Sequence, residues 1–388
     1  MNNKIINPNE YGSLLYDEKE QEYLTNVIKQ RRIFRYSKTS YPYVSMSEDF
    51  IKEKINTKYA LATTNGTSAL KTALVGAGVG KNDRVLISSY TFLATALAPI
   101  ALGAIPVPIE VSLDTGLNLN DLENEIQKGC KAIIAVHFQG RAFDLKKVKE
   151  LAKKNKIVLI EDACQAFGAK YKTKYAGTIG DIGVFSFQQY KQISTGEGGC
   201  IVTNKEKFYT RMRNYTDMGA TRNRFPSWDS KDALFGENER MNNLVGAVLY
   251  AQLEKLEEMI EKQKASRKRI LDRLKNKSGI ISSKDPNGDT SMNILILLKN
   301  KNKKALAIEL AKEKNIELRN MWSSIYYDNK LMKTNKLDGK SLKGKDCSKT
   351  RNFIERMLVI SIPPTLSEQE ENKIADIIEE LKEKEIME

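Results

Sequence analysis

Apolar residues gather into seven short runs in the first part of the chain: Ala60–Thr64, Arg84–Ser88, Ile105–Val111, Ala132–Phe138, Val158–Ala163, Ile182–Phe187 and Cys200–Asn204. Each has the length and near-continuous apolar character of a strand buried on both faces. Helical patterns separate most of them, as the crossovers of βαβ units require. Leu145–Asn155 is one such helix, with Asp144 expected as its N-cap. Only residues 188–199 join the last two runs. That is too short for a crossover, so the last strand is expected antiparallel to its neighbour. The pattern predicts an α/β protein built on a mostly parallel seven-stranded sheet.

Beyond the sheet the period changes. Met241, Leu244, Val245, Val248, Leu249, Leu253, Leu256 and Ile260 recur at helical spacing within Arg240–Lys275, a long connecting helix with room for one break. Met292–Lys299 and Met357–Ile362 read as strands and Lys304–Lys314 as a helix. Ser367 with Glu370 forms a capping box for a last helix. These elements predict a smaller C-terminal α/β domain. The expected division is a polar segment over residues 1–30 packing on the body, a large domain over 31–250, and a connecting helix with the small domain over 251–388. Asp338–Thr350, rich in Lys, Ser and Gly, is the expected mobile loop.

Composition narrows the function. The chain has 388 residues, 63 Lys+Arg and a net charge of +14. The lysines are scattered and often sit beside glutamates on helical segments, and no nucleic-acid reader motif accompanies them, so no nucleic-acid partner is expected. A positive field also attracts anionic small molecules. The long uncharged stretch Thr91–Ile109 is interrupted by Pro99, Gly103, Pro106 and Pro108. It reads as a core helix followed by a buried strand, with no membrane span expected. The start Met1-Asn2-Asn3-Lys4 lacks an apolar signal region, so a cytoplasmic setting is expected. Cys130, Cys164, Cys200 and Cys347 lack CxxC spacing, which indicates neither a metal site nor a disulfide framework.

Three segments carry candidate chemistry. Lys191 follows the apolar run Ile182–Phe187 and precedes a glycine cluster at Gly196, Gly198 and Gly199. Glycines allow close packing around a side chain that must be partly dehydrated. A dehydrated lysine has a lowered pKa and can form a Schiff base; the alternative is a surface lysine in a hairpin. Asp162 ends an apolar strand, where parallel sheets place their ligands. It suits a metal ligand, a helix cap or the charge partner of a cationic ring such as pyridoxal phosphate. Asn65-Gly66-Thr67-Ser68 lies between a strand and a helical pattern, where backbone N–H groups and hydroxyls bind phosphate; an ordinary N-cap is the alternative. His137, the one histidine, is expected to make a structural hydrogen bond.

Taken in order, these pieces resemble the DegT/DnrJ/EryC1/StrS family of pyridoxal 5'-phosphate-dependent sugar aminotransferases. The resemblance rests on Asn65-Gly66-Thr67-Ser68-Ala69-Leu70, Tyr90–Thr95, Glu161–Ala166, Ser186–Gly199 and Gly236–Met241, across roughly residues 40 to 255. It implies a fold type I transferase. It implies Lys191 as the cofactor lysine and proton carrier, Asp162 beside the pyridine nitrogen, Gln165 near the phenolic oxygen and Phe92 on the ring face. Gly66, Thr67 and Ser186 would hold the phosphate. Asn238 would reach it from the neighbouring subunit, making a homodimer with shared sites. The implied substrates are an amino-acid donor, glutamate by default, and a keto acceptor, by default a nucleotide-linked keto-sugar.

Gln188-Gln189 and Tyr190 depart from the family's commoner residues, and the Gln pair resembles the branch acting on cyclitols. A keto-cyclitol acceptor with glutamine as donor therefore stays open, as does aromatisation. Dehydratases of the family replace the lysine by histidine, and Lys191 argues against that chemistry. Tyr190, Arg222 and Arg224 are candidate substrate contacts. The two arginines suit a pyrophosphate, or are solvated loop residues.

Overall fold

The computed structural model describes residues 5–113, 116–219, 233–320, 330–337, 339–342 and 344–388. Two helices lead in, α1 (Glu18–Gln30) and α2 (Tyr43–Ile55). Strands and helices then alternate as β1 (Tyr59–Thr63), α3 (Gly66–Gly76), β2 (Arg84–Ser88), α4 (Ala94–Ala101), β3 (Ile105–Ile109), α5 (Leu119–Gln127), β4 (Ala132–Val136), α6 (Lys146–Lys154) and β5 (Val158–Asp162). A small hairpin, β6 (Lys170–Tyr171) and β7 (Lys174–Tyr175), precedes β8 (Ile182–Ser186) and β9 (Gly199–Thr203).

Seven strands form one sheet in the order β1-β9-β8-β5-β4-β2-β3. β9 runs antiparallel to both β1 and β8, and the other pairings are parallel. The short link at 188–199 therefore reverses one strand, as its length demands. All six remaining strands end at the same edge of the sheet. Alternate residues feed the two faces: Leu61, Ile182, Val184 and Ile201 join one apolar cluster, whereas Ala60, Phe185, Cys200 and Val202 join another. Pro106 and Pro108 lie on β3 at the outer edge, where a missing N–H breaks no interior ladder. No helix among the described residues is long and apolar enough to cross a membrane.

The chain continues through α7 (Glu206–Thr216), α8 (Asn243–Glu254) and α9 (Leu256–Asp272). A second sheet has the order β10 (Ile280–Ile281), β11 (Asn293–Leu297), β15 (Met357–Ser361), β12 (Leu318–Arg319), antiparallel throughout. Its remaining elements are α10 (Lys304–Glu313), α11 (Lys330–Thr334), the hairpin β13 (Lys336–Leu337) and β14 (Lys340–Ser341), α12 (Ser348–Arg356) and α13 (Glu368–Glu383). A third apolar cluster fills it, with Ile294, Ile296, Leu358 and Ile360 facing Ile374 and Ile378 of α13. The Ser367–Glu370 capping box is present.

Several expected boundaries shift. Most of the longer strands end one or two residues early, because Phe138, Ala163 and Phe187 already belong to the turns that build the cleft. The connecting helix breaks at Lys255. There its ammonium leaves the helix run to meet Leu15 O at 2.7 Å and both carboxylate oxygens of buried Glu20 at 2.9 and 2.7 Å. α6 starts at Lys146 with Leu145 in the cap position. Asp144 sits one residue further out, its carboxylate accepting the Lys146 N–H at 3.1 Å and the Tyr171 hydroxyl at 3.1 Å.

The segment expected as a mobile loop is instead partly ordered. It carries β14 and the first turn of α12, and Thr350 is buried. The Glu110 carboxylate accepts the Thr350 N–H at 2.8 Å, and Thr350 Oγ1 meets Ser89 Oγ at 2.9 Å. An acidic side chain at a helix N-terminus is favourable, and this one docks α12 against the edge of the large sheet.

Candidate functional site

The strand ends enclose a cleft of about 1090 Å³. That exceeds the few hundred to about a thousand Å³ usual for one drug-sized ligand. Gly66, Thr67, Phe92, Asp162, Gln165, Ser186, Tyr190 and Lys191 all line it. They come from the start of α3, the ends of β5 and β8 and the loops after β2, β5 and β8, so the sheet brings together residues far apart in sequence. Asn238 does not line it. It is exposed, in an isolated antiparallel bridge to Asp217. Arg222 and Arg224 lie outside the described residues.

The turn after β1 makes the anion-binding end. Asn65 is the N-cap of α3, and its Oδ1 accepts the Ser68 N–H at 2.8 Å. The N–H groups of Gly66 and Thr67, in the first turn, have no intrahelical acceptor. One turn therefore carries both the cap and N–H groups of the kind that bind anions at helix starts. Gly66 permits the close approach: a Cβ there would stand 2.8 Å from Ser186 Cβ and 3.3 Å from Cys164 Sγ. Of the glycines after Lys191, Gly199 serves this cup, whereas Gly198 packs within the lysine loop itself. A Cβ at Gly199 would overlap the Asn65 carbonyl, and one at Gly198 the Thr195 hydroxyl.

Asp162 is buried and held from both sides. Oδ2 accepts the Thr95 hydroxyl at 2.8 Å, and Oδ1 accepts the Cys164 N–H at 3.2 Å. Thr91 meets Thr95 at 2.8 Å; since Thr95 donates to Asp162, Thr91 donates to Thr95. Lys191 is half-buried in a hairpin-like loop closed by the Phe187–Gly198 and Gln189–Gly196 backbone bonds. Burial pushes its amine below the usual lysine value, while Cys164, Asp162 and Glu197 act in the opposite direction. Burial, with Asp162 beside it, raises the Cys164 thiol well above the usual range, so it is a neutral wall. Phe92 and Tyr190 expose 54% and 51% of their surface, large apolar faces turned to the opening.

His137 faces away from this chemistry. Its Nδ1 accepts the Phe143 N–H at 3.0 Å, so Nε2 carries the proton and donates to Glu161 Oε2 at 2.8 Å. Both residues are fully buried. Glu161 also accepts the Gly177 N–H at 2.9 Å and the Gly180 N–H. Glu161→Ala leaves two buried donors and one part-buried donor unmatched and is expected to lower stability by about 2–4 kcal/mol. The check is a drop in urea midpoint at unchanged m-value.

The sequence did not single out the opposite wall. Asn9, Tyr11, Gln139, Asn293 and Arg319 also line the cleft. Tyr11 arrives because Asn7 pairs with the Glu317 backbone at 3.1 and 2.8 Å, and the Gly12 N–H reaches Lys191 O at 3.4 Å. Asn293 had a visible signal, a carboxamide at the start of an otherwise apolar strand. Thr91 and Thr95 had a weaker one, i,i+4 spacing. Tyr11 had none.

A family model described as the DegT/DnrJ/EryC1/StrS aminotransferase family matches residues 15–379. GDP-perosamine synthase of Escherichia coli O157:H7 is 36% identical over 247 residues, 63% of this chain and 66% of that protein. GDP-perosamine synthase of Caulobacter vibrioides is 38% identical over 218 residues, 55% of this chain and 56% of that protein. The chain thus spans somewhat less than two thirds of these relatives' length. Among solved structures, the aminotransferase from Psychrobacter cryohalolentis superimposes with a TM-score of 0.84 at 25% identity, covering 95% of this chain and 98% of that one.

Proposed function

Because this chain belongs to the DegT/DnrJ/EryC1/StrS aminotransferase family, whose cofactor is pyridoxal 5'-phosphate, we propose that it moves an amino group from glutamate to a nucleotide-linked keto-sugar. The observation that carries the reading is the convergence of an amine, a buried carboxylate and a helix N-terminus on one cleft. The residues present fit the cofactor. The cradle at Gly66, which a Cβ would fill, admits a phosphate between the α3 N-terminus and Ser186. Asp162 is placed to accompany a protonated ring nitrogen, Phe92 offers an apolar face, and Gln165 offers a polar contact.

When bound, the cofactor supplies an electron sink for the carbon bearing the transferred nitrogen. The protein's part is positioning and proton movement. Gly66, Thr67 and Ser186 hold the phosphate by backbone N–H and hydroxyl donors. Asp162 keeps the ring nitrogen charged. Lys191 Nζ carries the cofactor at rest and moves the proton during transfer, a task that suits an amine with a lowered pKa. GDP-perosamine synthase as a relative supports a nucleotide-linked amino-sugar product. On this reading Arg222 and Arg224 bind the pyrophosphate and Tyr190 flanks the sugar.

The test is spectral and chemical. L-glutamate should bleach the visible band of the loaded protein, and GDP-perosamine with 2-oxoglutarate should regenerate glutamate in reverse. An aminated product found by mass only with glutamine and a keto-cyclitol would overturn the sugar assignment.

The working form on this reading is a homodimer that completes each site across its interface. Ile28, Ile33, Phe34 and Tyr41 are exposed apolar side chains of the N-terminal part of the chain. Phe34 lies under the Arg240 guanidinium at 5.6 Å, two residues from exposed Asn238. Asn238→Ala is expected to weaken cofactor retention by about tenfold and to raise the dimer dissociation constant. Equilibrium dialysis and sedimentation read the two; unchanged cofactor affinity would remove Asn238 from the site.

A further inference from the structure

Gln139 is 4% exposed, lines the cleft, and its Nε2 has no hydrogen-bond partner among the described residues. Buried amide N–H groups are nearly always paired. Its orientation follows from its neighbours. Arg319 has only donors, and its Nη2 meets one branch of the Asn293 carboxamide at 3.1 Å. That branch must be oxygen, and the Tyr11 hydroxyl donates to the same atom at 2.8 Å. The other branch of Asn293 is therefore the NH2. It donates to Gln139 at 2.8 Å, which must present Oε1. Gln139 is left with its NH2 group unmatched. The backbone fixes it as well: φ is 59° at Gln139 and 76° at Gly140, and a Cβ at Gly140 would overlap Thr290 and Met292.

We propose that Gln139 Nε2 is a substrate-binding donor for an oxygen acceptor, either a carboxylate of the amino donor or a sugar oxygen, with Asn293 and Tyr11 as positioning residues that set its polarity. An unmatched donor on a cleft-lining side chain, with the Arg319 guanidinium lining the same cleft, selects ligand groups that accept. Asn293→Asp should reverse it without touching Gln139. The new carboxylate accepts from Arg319, Tyr11 and the Gln139 NH2, which turns Oε1 to the cleft.

The proposal rests on the transamination reading only for its choice of ligands. The experiment uses unreactive probes on the cofactor-loaded protein: glutarate for the carboxylate and GDP-mannose for the sugar oxygens, each titrated by calorimetry. Gln139→Leu should raise the Kd of one probe by roughly five- to tenfold, and the probe affected identifies the acceptor. Asn293→Asp should give at least the same loss for that probe, and Gln139→Met should not rescue it. Unchanged Kd for both probes in Gln139→Leu and Gln139→Glu overturns the proposal. So does a fall in melting temperature with both Kd values unchanged. Failure of the wild type to bleach with glutamate would instead count against the aminotransferase reading, because neither probe needs turnover.

Discussion

Lys191→Ala is expected to lower turnover by at least about 10³-fold, because on the proposed reading it removes the proton carrier and the covalent anchor together. Lys191 carries the one amine among the described residues lining the cleft, so no neighbour can take over. Its lowered pKa leaves a larger neutral share at a given pH than a surface lysine has, and only the neutral amine can accept a proton. Lys191→Arg should be as inactive, since a guanidinium does not release its proton near neutrality. Cofactor retention should survive in part, because the α3 N-terminus, Ser186 and Asp162 are untouched. Stopped-flow mixing with glutamate, and cofactor remaining after dialysis, give the two readouts. A Lys191→Ala protein at full rate would end the assignment.

The sequence carried most of this site because strand order and strand ends are local properties. A run such as Val158–Asp162 shows where its ladder stops, and parallel pairing gathers those stops at one edge. Lys191, Asp162 and Gly66 were legible for that reason. The glycine cluster was legible as close packing, but its partner was not. Gly199 makes room for the Asn65 carbonyl across the β1–β9 pairing, a contact 134 positions away in the chain that no spacing rule contains. Tyr11 shows the same limit more strongly. It reaches the cleft through Asn7, bonded to the Glu317 backbone just before β12, and Gly12, bonded to the lysine loop, both tertiary contacts. Thr350 read as loop because its neighbours are Lys, Ser and Gly. The half-buried carboxylate partner that orders it, Glu110, lies on another element.

Asp162→Asn separates charge from shape. The aspartate accepts from Thr95 and from the Cys164 N–H. Asparagine has one acceptor, and the Cys164 N–H can only donate, so the amide oxygen must turn to it. The new NH2 then faces Thr95, whose hydroxyl can accept as well as donate. Thr95 can in turn donate to Thr91, and the chain of hydroxyls reverses without breaking. Stability should therefore fall by no more than about 1 kcal/mol. Turnover should fall by about 10²–10³-fold, because a preorganised charge in a water-poor site has been removed. Thr95→Val provides the contrast. It leaves the carboxylate in place and removes one of its donors, so a loss of about tenfold is expected. Single-turnover rates with glutamate, set beside urea midpoints for the same proteins, distinguish the cases. If Asp162→Asn kept more than about a tenth of the wild-type rate, where a preorganised charge is worth far more, the negative charge at this strand end would not be what the reaction needs.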